Sequence, residues 1–158
     1  MKKVVLLLTV SALLLSCATP QTVRDSKKVM KGEWVLNSVT HNESGTYEIS
    51  LFNDVSRDCF EGSVWRFIPN NNTGTYAIES AGCTVGERNF IFTIQEIDTA
   101  SGYYDFLLKP TDERGRSETN QGFRVRLSQL SENIMVWEQS LMVDGKPFKL
   151  YMNFSKLQ

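Results

Sequence analysis

Lys31-Gly32-Glu33-Trp34 is the stretch on which the reading of this chain turns. Gly32 lets the backbone turn tightly into a strand. Trp34, two residues on, supplies a large flat side chain suited to plug one end of a β-barrel. The motif gains its weight from its place at the head of a series. Seven further segments, at about 63–68, 74–79, 88–97, 103–109, 122–130, 134–142 and 146–154, alternate apolar and polar residues with a period of two. That period marks half-buried strands. Phe123, Val125 and Leu127 against Arg124 and Arg126 is the cleanest case. Pro69-Asn70-Asn71-Asn72, Asp98 to Gly102, Ser131-Glu132-Asn133 and Asp144-Gly145 separate the strands with turn chemistry.

The alternation assigns the inward face. It places Trp34 and Leu36, Trp65 and Phe67, Tyr76 and Ile78, and Phe90, Phe92 and Ile94 inside. Further along it places Tyr104, Phe106 and Leu108, then Met135, Trp137 and Leu141, and finally Phe148, Leu150, Met152 and Phe154 inside. An all-β, eight-stranded up-and-down antiparallel meander hides its edges by closing into a barrel. A two-sheet sandwich would use the same alternation. One segment breaks the period: Leu51, Val55 and Cys59 recur every four residues. They read as a short helix or lid between the first two strands, with Ser50 or Asn53 as its cap, or as a loop with a few buried side chains.

Parity then separates the two ends of a meander. The long 41–62 segment, the cysteine-bearing loop near 80–87 and the charged loop 111–121 fall at one end, which reads as a mouth. The short turns and both chain ends fall at the other.

Upstream, Met1-Lys2-Lys3 and the apolar run 4–15 form a signal peptide over residues 1–16, since about a dozen apolar residues are too few for the roughly 20 of a membrane span. Leu14-Leu15-Ser16-Cys17 resembles the bacterial lipobox, which implies acylation of Cys17. Stable anchoring takes more than one acyl chain, and diacylation would supply two. Ala18, by resemblance to Gram-negative lipoprotein sorting, implies the outer membrane, facing the periplasm. Residues 17–30 are expected to be the lipidated cysteine and a polar tether, with the barrel domain over 31–158. Of 158 residues, the mature chain keeps about 142, with a net charge of about −3. That mild acidity argues against a nucleic-acid partner.

With Cys17 given to lipid, Cys59 and Cys83 are an even pair in an oxidising compartment, and a disulfide is expected. His41 is the only histidine, and no phosphate loop, metalloprotease motif or nucleophile elbow is present. No enzyme activity, metal or cofactor is expected. Asp54, Asp58 and Glu61 could gather around a calcium ion, or simply form a solvated face.

The layout resembles the lipocalin-like lipoproteins of bacterial envelopes. The matching residues are Gly32-Glu33-Trp34, the run from Cys59 through Trp65 to Phe67, the Asn72 to Tyr76 turn, Cys83, and Tyr151 through Lys156. The resemblance implies a barrel able to bind a small apolar molecule. It also pairs Lys156 with Trp34 over the barrel end, where the family usually has arginine. Phe52, Phe60, Trp65, Tyr104 and Phe106 are the candidates for a pocket lining at the mouth, each also readable as ordinary core. Two functions stay open: a carrier of a small hydrophobic molecule such as a fatty acid, and a protein-interaction module acting through loops such as 112–118.

Overall fold

The structure, a computed structural model, describes residues 21–158 apart from Thr99 and Gly102. The signal segment, Cys17 and Ala18 lie outside the described residues, as do two positions of the expected 98–102 turn.

Helix α1 (Gln21–Met30) leads into strand β1 (Gly32–His41), a short helix α2 (Arg57–Phe60), and then seven strands. These are β2 (Val64–Ile68), β3 (Thr73–Ile78), β4 (Gly86–Ile97), β5 (Tyr104–Thr111), β6 (Phe123–Leu130), β7 (Ile134–Val143) and β8 (Lys146–Lys156). Each strand pairs antiparallel with its sequence neighbour, and β1 pairs β8 to close the barrel. Strand number, order and closure are those that the lipocalin resemblance implied. Closure removes the exposed edges that a meander would otherwise carry. Bulges at Leu36/Ser38, Ile94/Glu96 and Leu127/Gln129 bend the strands around the barrel.

The interior follows the period-2 reading. Trp34, Leu36, Trp65, Phe67, Tyr76, Ile78, Phe90, Phe92, Phe106, Leu108, Val125, Leu127, Met135, Trp137 and Phe154 are all buried. The rings of Trp65, Phe67, Phe106, Trp137 and Phe154 touch across the axis, with Trp65 and Trp137 centroids 5.4 Å apart. An eight-stranded barrel is just wide enough for side chains to fill it, and here aromatic rings do so. Gly74 on β3 belongs to this packing. The Phe90 ring lies over it, and a Cβ there would meet Phe90 Cε1 at 2.9 Å.

Leu141, expected inside, is 40% exposed. Its parity is right, since Met135, Trp137 and Gln139 on the same face are buried. The β1–β8 pairing stops at His41↔Leu150 and the β6–β7 pairing at Arg126↔Glu138. Beyond those rungs no third strand flanks the β7–β8 hairpin. Asn42 bonds Lys149, and His41 and Tyr47 pack on Phe148, so the β8 side is covered while Leu141 on β7 stays exposed.

The expected tether is a second correction. Over its described part it is α1, with Val23 and Met30 each 1% exposed. These two are seven residues apart, two helical turns, so one stripe of an otherwise polar helix seals the barrel end.

Candidate functional site

The two ends of the barrel are built differently. At the closed end, Gly32 enters β1 at φ 115°, a left-handed backbone that favours glycine. That turn folds α1 back over the barrel. Trp34 Nε1 donates to the Met30 carbonyl at 2.8 Å. Lys156 Nζ stands 5.1 Å from the centre of the Trp34 ring and donates to the Val29 carbonyl at 2.7 Å. Gly32, Trp34 and Lys156 thus meet at this end of the barrel. Ser26 Oγ donates to the Tyr104 hydroxyl, and Lys27 Nζ to Asn72 in the β2–β3 turn. Helix α1 thus bridges three different parts of the base.

At the mouth, residues 42–63 fold over the opening. The expected helix through Leu51, Val55 and Cys59 is present only as α2, with Ser56 at its N-cap. Residues 50–56 instead make a tight turn, in which Ser50 bridges Ser56 and Leu51 N–H bonds the Val55 carbonyl. Phe52 and Asn53 have φ of 53° and 56°, which stops a helix there and costs on the order of 1 kcal/mol for a bulky residue. The turn directs the Phe52 ring inward against Phe60, Trp65 and Phe123.

Three ties hold this lid. Cys59 and Cys83 form the expected disulfide, which joins the lid to the β3–β4 loop. Asn53 Nδ2 donates to Gln121 Oε1 across the mouth at 2.9 Å. Asp54 accepts from Tyr76 at 3.0 Å and from Arg88 Nε at 2.9 Å. The Arg88 and Asp54 side chains are only 19% and 24% exposed, so this pair is sheltered. Burial, with the Asp54 carboxylate adding to it, pushes the Tyr76 hydroxyl far above its ordinary range. Arg88 also donates to the Gly86 and Thr84 carbonyls and so shapes the β3–β4 loop.

Asp54, Asp58 and Glu61 do not converge. Asp58 pairs with its neighbour Arg57, and Glu61 accepts from the Val39 backbone N–H. Among the described residues no group of three or more His, Cys, Asp or Glu is placed to hold a metal ion.

Outside the lid lies a cleft of about 280 Å³. Phe52, Phe123 and Pro110 supply its apolar surface. Tyr76, Asp54, Arg88, Gln121 and the β5–β6 loop supply its polar wall. Of the five pocket candidates, only Phe52 lines it. Phe60 and Trp65 lie fully buried beneath Phe52, and Phe106 packs against Phe92 and Trp137. Tyr104 sits at the opposite end under α1, its hydroxyl also raised by burial and partly relieved by Ser26. These four are core residues. Phe123, Arg88, Tyr76 and Gln121 are the site residues that the sequence reading missed.

No protein-family model matches the chain, and no curated protein matches it in sequence. The barrel is similar to the crystal structure of a lipocalin-like protein from Bacteroides uniformis ATCC 8492. That match covers 82% of this chain and 99% of the other, at 8% sequence identity and a TM-score of 0.45. A likeness at that level carries nothing about ligand or mechanism.

Proposed function

We propose that this chain is a lipid-anchored envelope protein, not an enzyme, that binds a small molecule at the barrel mouth. The observation that carries this reading is the cleft between Phe52 and Phe123, set above a barrel filled by aromatic side chains. Apolar faces with a few convergent polar groups are the usual make-up of a small-molecule site, and about 300 Å³ is the lower end of the size range. A ligand of that size is compact. A long acyl chain would need the space that Trp65, Phe106 and Trp137 occupy.

Charge narrows the class further. Asp54 already neutralises Arg88, Asp112 is paired with Arg116, and Glu118 also lines the cleft. A neutral or cationic ligand with one flat apolar face fits that wall, and a fatty-acid carboxylate does not. Lipid anchoring rests on Cys17 and the signal segment before it.

The test is mass spectrometry of compounds extracted from the lipidated protein, purified from its own envelope. A single small species, present with the native chain and lost with Phe123→Ala in a folded protein, supports the reading. The same species retained by Phe123→Ala, or none in either sample, contradicts it.

One observation favours the interaction-module reading as a second function. Leu141, Met142 and Val143 on the projecting β7–β8 hairpin are all exposed, Met142 to 68%. An exposed apolar run at a hairpin tip suits a protein contact.

A further inference from the structure

Both chain-end connections reach the base of the barrel, and the helix that covers it begins four residues after Cys17. Four fully extended residues span at most about 14 Å. Helix α1 is held to the base at Trp34, Tyr104, Asn72 and Lys156, so it cannot lengthen that leash without unsealing the barrel.

Charge divides along the same axis. The four mouth-end connections, 42–63, 79–85, 112–122 and 144–145, carry ten carboxylates against three Lys or Arg side chains. Residues 21–31 with the closed-end turns, 69–72, 98–103 and 131–133, carry four Lys or Arg side chains against three carboxylates. Arg24, Lys28 and Lys31 are exposed there, as is Asp25, which pairs with Lys28 and leaves Arg24 and Lys31 as the excess. Anionic headgroups attract a basic surface and repel an acidic one, within about a Debye length.

From the short leash and the charge division we infer that the α1-capped base faces the headgroup layer of the anchoring bilayer, with the mouth turned away from it. This inference rests on the lipidation of Cys17 proposed under the function. The barrel then stands on its sealed end. Its cleft opens to the aqueous compartment, roughly a strand's height of about 25 Å from the lipid. Ligand therefore arrives from solution or from a facing surface, and does not enter from the bilayer that holds the protein.

The test uses the full lipidated chain in vesicles of phosphatidylethanolamine and phosphatidylglycerol carrying a headgroup-linked quencher. With Cys17 acylated and Cys59 bridged to Cys83, an added cysteine is the one free thiol for a fluorophore. Glu132→Cys labels the base turn and Glu113→Cys the mouth loop, both exposed positions. The expected result is several-fold stronger quenching at 132 than at 113. Inserting a Gly-Ser spacer of about 20 residues before Gln21, which spans about 25 Å on average, should erode that difference. Equal or reversed quenching in protein that floats with the vesicles overturns the orientation and leaves the anchorage standing. Protein that does not float overturns the anchorage and the orientation with it.

Discussion

The base and the mouth of this barrel are both covered, but by different means. The base is sealed by a helix that runs straight into β1 and is also held by Asn72, Tyr104 and Lys156. Met30 and Val23 are buried there, and Trp34 and Lys156 donate to carbonyls of α1 itself. The mouth is covered by a segment tied to distant parts of the sequence, through one disulfide, one amide pair and the Asp54–Arg88–Tyr76 cluster. Apolar burial next to the strand it continues is hard to undo locally. Polar contacts between loops exchange with water or ligand at little cost, about 1 kcal/mol each. The difference fits the place of the cleft at the mouth, where the strained Phe52 also lies.

The largest expected effect belongs to the core the two ends share. Trp65→Ala should lower stability by about 3–5 kcal/mol in urea unfolding, since Trp65 is fully buried among seven aromatic rings. A near-native midpoint would mean the interior has room to spare. Replacing Cys59 and Cys83 together by Ser releases a loop closed over a sequence separation of 24, which should cost about 3 kcal/mol. Hydrogen exchange should then quicken over 50–62 and not over 21–30. Quickening at both ends alike would erase the distinction between base and mouth. Met30→Ala should give the converse, about 2 kcal/mol at the low end for a buried methionine, with exchange quickened in α1 and the lid unchanged.

The tyrosines at the two ends sharpen the comparison further. Burial raises both the Tyr76 and the Tyr104 hydroxyl above the ordinary value. In the unfolded chain they ionise near pH 10. The stability they contribute is fully present below that pH and is lost as pH rises above it. Tyr76→Phe should cost about 1 kcal/mol at neutral pH through the lost bond to Asp54 and flatten the alkaline limb of the unfolding curve. An unchanged alkaline limb would show that Tyr76 is accessible. The smallest effect is Lys156→Met, about 0.5–1 kcal/mol, read by the same unfolding curves and by a shifted Trp34 indole resonance.

Strands and pairing were legible because each barrel wall has one wet and one dry face, so Phe123 to Leu127 announces its register in five letters. The disulfide was legible from Cys59 and Cys83, the two cysteines outside the N-terminal segment. Helix α1 was hidden by its polar composition, although Val23 and Met30 at a spacing of seven carried the signal. The lid was hidden because its turn depends on left-handed Phe52 and Asn53, residues that do not advertise that backbone as glycine does. Tyr104 was legible as a base residue and was misplaced at the mouth all the same. It begins β5 straight after a closed-end turn, and parity alone puts it at the base. The cleft itself arises from side chains of four separate segments, and no local pattern announces that.

The most direct test of the proposed mouth-end site is a crystal structure of the protein purified from its native cells without a stripping step. The predicted result is ligand density bounded by Phe52, Arg88 and Phe123, with Trp65 and Trp137 still in contact across the axis. Density running down the axis between Trp65 and Trp137 would contradict it, and would make the barrel interior the binding site.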